Sequence, residues 1–408
     1  MSQRQPSELN LRYQQSTEWL ARAEQVIPLA SQTFSKSRTQ LPVGAAPLFA
    51  ARAKGSKLWD IDGNEYIDLT SALACVTLGY AHPVVDEAIK RQLVDGITLS
   101  LPHQLECEVA ERIVAAVPSA EMVRFAKNGS DATSGAVRLA RAHTGRDHVA
   151  VCGYHGWHDW YIGSTTRNDG VPRAVRELTH RFNYNNLESL AALFDAHPDQ
   201  FAAVVMEPMN VEFPKPGFLE GVADLCRQHG TLLVFDETIT GFRFSRGGAQ
   251  TLFGIEPDLS TFGKGLANGM PLSAVVGGRA LMLGMEEIFY SGTFGGETLS
   301  LAAAVAVLDF LEAEPVIETL NERGSILQGA VRSLIVQTGC SDFLALGGHP
   351  SWQILGWREG PEIDTWGLKT LFMQEMFRNG VFTIGSHNLS YAHSIADIDA
   401  VIAVYERV

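Results

Sequence analysis

Five short apolar runs constrain this chain more than any other feature: MVRFA from Met122, HVAVCG from His148, FAAVVMEP from Phe201, TLLVFDE from Thr231 and LSAVVGG from Leu272. Each contains β-branched or aromatic residues, and segments with helical spacing of apolar residues lie between them. Runs that are apolar at successive positions, rather than at alternate ones, mark strands buried on both faces. Strands separated by helices read as βαβ units. The expected fold class is therefore α/β: a large, mostly parallel sheet covered on both faces, with a smaller α+β domain built from both chain ends. A length of 408 residues supports two domains, because a single core stops growing well below that size. We expect residues 1–60 to form an N-terminal helix and hairpin belonging to the small domain, 61–299 the large domain, and 300–408 the C-terminal part of the small one.

The flanking segments carry their own signals. From Ser7 to about Leu29, apolar residues at Leu11, Trp19, Leu20, Ala23, Val26 and Ile27 recur at helical spacing. GSKLWDIDGNEYIDLTS alternates about Asp62-Gly63, a hairpin turn pair. LAAAVAVLDFLEAE predicts a long helix from about Ser300, and Ser394 with Asp397 predicts the cap of the last helix. A net charge of −14 without clustered Lys and Arg excludes a nucleic-acid surface. The apolar run Leu301–Leu308 is too short to span a bilayer. The N-terminal segment, with Glu8, Glu18 and Glu24, is not expected to be a secretory signal. Scattered cysteines without a CxxC pair fit a reducing compartment. A cytoplasmic protein with no nucleic-acid or membrane partner is expected.

The chemistry gathers where the apolar runs end. Asp236 closes the run from Thr231, and a charged residue ending a buried strand is expensive unless it faces a cleft. Glu207 closes the run from Phe201 in the same way. Two carboxylates on separate parallel strands both point to the carboxyl edge, where open α/β sheets bind ligands. MVRFA leads into Asn128-Gly129-Ser130 and then a helix, so free N–H groups and the helix dipole offer an anion cradle there, or else a plainly capped structural helix. Tyr154 follows HVAVCG with small neighbours, and either stacks on a flat ring or fills an aromatic loop cluster. His155 and His158 have the spacing of a metal pair but no third ligand nearby, so no metal is expected. Lys264 lies between Gly263 and Gly265, where the backbone can approach a bound molecule closely, although a lone lysine in such a loop is usually just solvated. An anion cradle, a stacking ring, an acid for a ring nitrogen and a lysine for an aldehyde are together what pyridoxal phosphate requires.

In that order, NGSDA at Asn128, YHGW at Tyr154, EP at Glu207, DETITGFR at Asp236, TFGK at Thr261 and GTF at Gly292 resemble the class III aminotransferases of fold type I. The likeness runs from about Pro47 to the C-terminus and leans to the glutamate-1-semialdehyde aminomutase branch through the pairing of TGFR with GGAQ. It implies an enzyme with pyridoxal 5'-phosphate as cofactor, working as a homodimer with shared active sites. Lys264 would form the Schiff base and then shuttle the proton, and Asp236 would hold the pyridine nitrogen protonated. Tyr154 would stack on the ring and Glu207 would support the site from beside it. Gly129, Ser130 and Asp131 would bind the phosphate, joined by Thr293 from the other subunit. Thr238 stands where family members usually carry a valine on the ring face, and Arg38 matches the place of an arginine for the substrate carboxylate.

Two departures bear on the reaction. ALACVTLGY from Ala72 replaces a segment close to SWGPMILGH, and DWYIGSTTRNDGVP after Tyr154 is shorter than the glycine-rich lid of an aminomutase. The implied activity is amino transfer from an amino-acid donor to a carbonyl acceptor by a ping-pong cycle, with intramolecular aminomutation as the alternative.

Overall fold

The computed structural model describes residues 12–359 and 364–408. They fall into two compact units, one made of the residues up to His82 with Glu318–Val408, the other of Pro83–Ile317. The fold is α/β. The second unit is built on seven strands: β1 (Met122–Ala126), β2 (His148–Cys152), β3 (Thr179–Arg181), β4 (Phe201–Met206), β5 (Leu232–Asp236), β6 (Leu259–Phe262) and β7 (Ser273–Gly277). Their order is β1-β7-β6-β5-β4-β2-β3. Neighbours are parallel except at β7, which runs antiparallel to both β1 and β6. The five apolar runs are all strands of this sheet. Two further strands, β3 and β6, are short, and β3 carries His180 and Arg181 on the sheet edge, so neither announces itself as an apolar run.

Every residue of β4 is buried. Its side chains divide between two cores: Ala203 and Val205 pack with Ala136, Leu139 and Ala140, while Val204 and Met206 pack with Leu190, Phe218 and Val222. The first group lies on helix α1 (Gly129–Thr144); Leu190 lies on α2 (Leu187–Ala196). Each buried Val or Leu contributes about 1.5–3 kcal/mol, which fixes the strand without alternation. Gly145, at φ +67°, ends α1 in the left-handed conformation that suits a helix C-terminus. The helix Thr298–Ala313 is apolar nearly all round and packs on Pro83–Leu93 and Gln104–Ala116. That burial keeps it in the sheet-bearing unit, so the units part at 82/83 and 317/318, later than the sequence boundaries at 60/61 and 299/300.

In the other unit the N-terminal helix spans Gln14–Glu24; the part of the periodic stretch before residue 12 lies outside the described residues. It stops short of Pro28, which has no N–H to continue a helix. Lys57–Asp60 and Glu65–Asp68 form the antiparallel hairpin about Gly63, at φ +88°. Ser394 caps Ile395–Arg407: its Oγ accepts from Asp397 N at 3.1 Å, and Asp397 Oδ2 accepts from Ser394 N at 2.9 Å. Ser71–Ala74, in and beside the ALAC segment, are four consecutive non-glycine residues with φ between +44° and +67°. Such a conformation costs about 1–2 kcal/mol per residue. Asp68 Oδ1 holds the turn by accepting from Thr70 N and Ser71 N, while Ser71 Oγ donates to Asn388 O at 2.6 Å.

Candidate active site

Strand register carries the sequence candidates to one edge of the sheet. Cys152 pairs with Met206, Met206 with Phe235, and Asp236 with Thr261. Tyr154, Glu207, Asp236 and Lys264 therefore sit at or just past the carboxyl ends of four adjacent strands. β1 ends at the same edge, because Ala126 pairs with Ser273 and Ala274 with Phe262, and this adds the Asn128–Ser130 turn.

Asp236 is 4% exposed. Its Oδ2 lies 2.8 Å from His155 Nδ1, and its Oδ1 accepts from Thr238 N at 3.1 Å and Thr261 Oγ1 at 3.2 Å. His155 Nε2 lies 3.1 Å from Cys152 O, a carbonyl that can only accept, so Nε2 carries a proton. A second proton then lies between Nδ1 and Asp236. Burial alone would push Asp236 upward, but the hydrogen bond and charge of His155, with help from Thr238, outweigh it and hold the carboxyl below the usual aspartate range. The result is a buried carboxylate held in its charged form by the ring behind it. Sequence reading weighed His155 only as half of a metal pair. The structure gives it to Asp236, and gives His158 to Ser134 Oγ at 2.7 Å. The signal was its place beside Tyr154, three residues past the end of β2, which only β4 separates from the aspartate's strand.

Glu207 is also buried and reaches back along the edge: its Oε2 accepts from Tyr154 N at 3.0 Å and Asn210 Nδ2 at 2.7 Å. Burial, then the charge of Asp236, raises its carboxyl above the usual range. Gly153, at φ +113°, is required here, since a Cβ would stand 2.5 Å from Glu207 Oε2. The Tyr154 ring, braced edge-on by Tyr161, is 59% exposed, which leaves it free to stack.

At the start of α1 the Gly129 and Ser130 N–H groups have no acceptor one turn back. Asp131 closes the capping box, its Oδ2 accepting from Asn128 N at 2.8 Å and Lys127 N at 3.3 Å. Its carboxylate thus orders the turn. Ser130 Oγ accepts from Trp157 N at 3.2 Å. Thr238 packs between two glycines: Cβ atoms added at Gly129 and Gly263 would lie 3.0 Å and 3.3 Å from its Cγ2. Its hydroxyl is buried and completes no hydrogen bond, and the same holds for Ser273 Oγ, across from the end of β1. Lys264 follows Gly263 with φ +39°. A left-handed lysine stores about 1–3 kcal/mol, a strain that clusters at functional sites.

Glu237, the other acid of the DETITGFR stretch, has a structural part. Fully buried, it accepts from Ala249 N at 2.7 Å and Gln250 N at 2.8 Å, and so anchors the GGAQ segment. Thr293 is exposed in the turn before Thr298–Ala313. Arg38 belongs to the other unit, where its Nε meets Glu24 Oε1 at 2.5 Å with both side chains partly exposed.

The profile of the family described as Aminotransferase class-III matches residues 40–347. The chain belongs to the class III aminotransferases. Among curated relatives of this class III aminotransferase, a glutamate-1-semialdehyde 2,1-aminomutase from Syntrophobacter fumaroxidans is 35% identical, over 90% of this chain and 91% of that one. A 3-aminobutyryl-CoA aminotransferase from Cloacimonas acidaminovorans is 33% identical, with 92% of each covered. Among solved structures, the FumI protein of Sphingopyxis sp. MTA144, in its pyridoxal-phosphate form, superposes with a TM-score of 0.89 at 32% identity, covering 96% of this chain and 94% of that one.

Proposed function

We propose that this class III aminotransferase uses pyridoxal phosphate to move an amino group from an amino-acid donor to a carbonyl acceptor by a ping-pong cycle. The register that sets Lys264, Asp236, Tyr154 and the Gly129 turn at one sheet edge carries the reading. The residues fit the cofactor: Asp236 is kept charged, the Tyr154 ring is open, the first turn of α1 has N–H groups to spare, and two buried hydroxyls lack partners. When bound, the cofactor supplies an electron sink for the substrate's α-carbon. Asp236 would hold the ring nitrogen protonated, Tyr154 would stack on the ring with Glu207 fixing its backbone, and Thr238 would lie against the ring face. The N–H groups of Gly129 and Ser130 would hold the phosphate, with Asp131 ordering the turn. Lys264 Nζ would hold the aldehyde, then move the proton between the substrate α-carbon and the cofactor carbon that held the lysine. Arg38 would exchange Glu24 for the substrate carboxylate, an exposed pair worth only about 0–1 kcal/mol.

We place the enzyme in the cytoplasm as a homodimer. All five cysteines are free, which supports a reducing compartment, and no helix of the described residues is long and apolar enough to cross a membrane. Thr293 is exposed beside Phe294 and near Phe289, both largely exposed, a surface suited to cover by a second subunit.

A single-turnover screen tests the reaction. Holoenzyme mixed with one amino acid and no acceptor is expected to release about one keto acid per site, as a ping-pong first half-reaction requires. Conversion of a lone substrate into its positional amino isomer, with no keto product, would instead favour the aminomutase reading that the 35% identical relative suggests. Thr238→Val tests the orphan hydroxyl. Without cofactor the variant is expected to gain about 1 kcal/mol, because a buried unpaired hydroxyl is removed. Tighter cofactor binding by the variant would show that the hydroxyl does not serve the ring.

A further inference from the structure

Three histidines far apart in sequence meet on the opposite side of the same sheet. His148 opens β2, His180 is the middle residue of β3, and His197 follows the last turn of α2. His148 Nδ1 and His180 Nε2 are 2.8 Å apart. Their rings are stacked at 4.9 Å, and the His197 ring stands 5.0 Å from the first and 4.5 Å from the second. One nitrogen from each lies within 4.8 Å of the other two. The Phe201 ring presents itself edge-on or nearly so to all three, closing the cluster from below. On the other side a groove of about 680 Å³ opens, lined by Arg176, Glu177 and Gln200 besides the histidines.

We propose that His148, His180 and His197 form a zinc site that pins the edge strand β3 and the end of α2 to β2. The ligand chemistry suits zinc: three imidazoles with an open fourth position facing a groove. Burial, followed by the neighbouring histidines, pushes His180 down to about 4, and burial also lowers His148. Zinc–nitrogen bonds of about 2.0–2.1 Å in a tetrahedral site put the nitrogens roughly 3.3 Å apart, so the hydrogen-bonded pair must open slightly and His197 must close in. With water from the groove as fourth ligand, the ion would still tie these elements together, and His148 begins the strand whose far end leads to Tyr154. A strand of three residues at a sheet edge has few backbone bonds of its own, and a metal tie compensates for that.

The test uses the chelator-stripped holoenzyme, titrated with Zn²⁺ in competition with a chromophoric chelator. One equivalent is expected to bind with a Kd below about 10 µM, and His148→Gln, His180→Gln and His197→Gln are each expected to weaken it by about 10–100-fold or more. His197→Gln alters only the residue after a helix, so it spares the strands should either of the others misfold. Replacing Zn²⁺ with Co²⁺ should give the visible band of tetrahedral cobalt in the parent protein, missing in the His197 variant and retained in His143→Gln as a control. Binding weaker than about 10 µM, or binding untouched by all three substitutions, overturns the assignment.

Discussion

Replacing Lys264 with alanine is expected to abolish covalent capture of pyridoxal phosphate and to cut turnover by roughly 10⁴-fold, the upper range for losing a positioned proton carrier. The cofactor should still bind, more weakly, because the Gly129 turn, Tyr154 and Asp236 do not depend on the amine. Borohydride reduction followed by intact-mass measurement reads the first effect, and steady-state turnover the second. A reduced adduct that persists in the alanine variant, together with full turnover, would sink the assignment. The backbone supplies an independent check. At φ +39° a lysine is strained and a glycine is not, so Lys264→Gly without cofactor should be more stable than Lys264→Ala by about 1 kcal/mol. A costly residue at a position where glycine would be cheaper supports the catalytic role proposed for Lys264.

The sheet was legible because its strands are buried on both faces. β4 and β5 must be apolar at nearly every position, and that leaves a continuous run in the sequence. β3 fails the same test for a physical reason: an edge strand is half solvated, so it can carry His180 and Arg181. The helix Thr298–Ala313 was legible as a helix but not as to its unit. Periodicity reports which face is apolar, and a helix apolar all round gives no direction. The strained Ser71–Ala74 turn has no local signal either, since alanine and leucine do not favour φ > 0. It persists through partners such as Asp68 and Asn388, the latter over three hundred residues away in sequence.

In the site, residues that end strands could be read, and residues that act through them could not. Asp236, Glu207 and Lys264 interrupt apolar runs or glycine turns, and the interruption is visible in one dimension. His155 matters because Met206 levels β2 with β4 and Phe235 levels β4 with β5, a relation that exists only in the sheet. Glu237 shows the converse. Its sequence context matches that of Asp236, yet its oxygens are consumed by Thr240, Ala249 and Gln250. Asp236 is the last residue of β5 and Glu237 the first beyond it, and neighbouring side chains along extended backbone point to opposite faces, so at most one of them could face the cleft.

Asp236→Asn is expected to lower turnover by roughly 10²–10³-fold while changing stability by less than about 1 kcal/mol. The introduced amide keeps the contacts. Its oxygen still accepts from Thr238 N and Thr261 Oγ1, and its N–H can donate to a neutral His155 whose other nitrogen still bonds Cys152 O. Only charge is lost. His155→Leu does the reverse, leaving a buried carboxylate without the ring that partners it, at a cost of about 3–5 kcal/mol. Burial is then opposed only by the hydrogen bonds from Thr238 and Thr261, so the Asp236 pKa is expected to rise above its unfolded value. That variant should be relatively more stable below the unfolded aspartate range, losing stability as pH rises through the raised value. In the parent the sign is opposite: a carboxyl held low contributes stability above the unfolded value, which is lost as pH falls through the folded one. Turnover then separates the two variants. His155→Leu should recover with rising pH as Asp236 ionises, whereas Asp236→Asn has nothing to ionise and stays low throughout. Parallel pH–rate profiles would show that His155 merely fills space behind the aspartate.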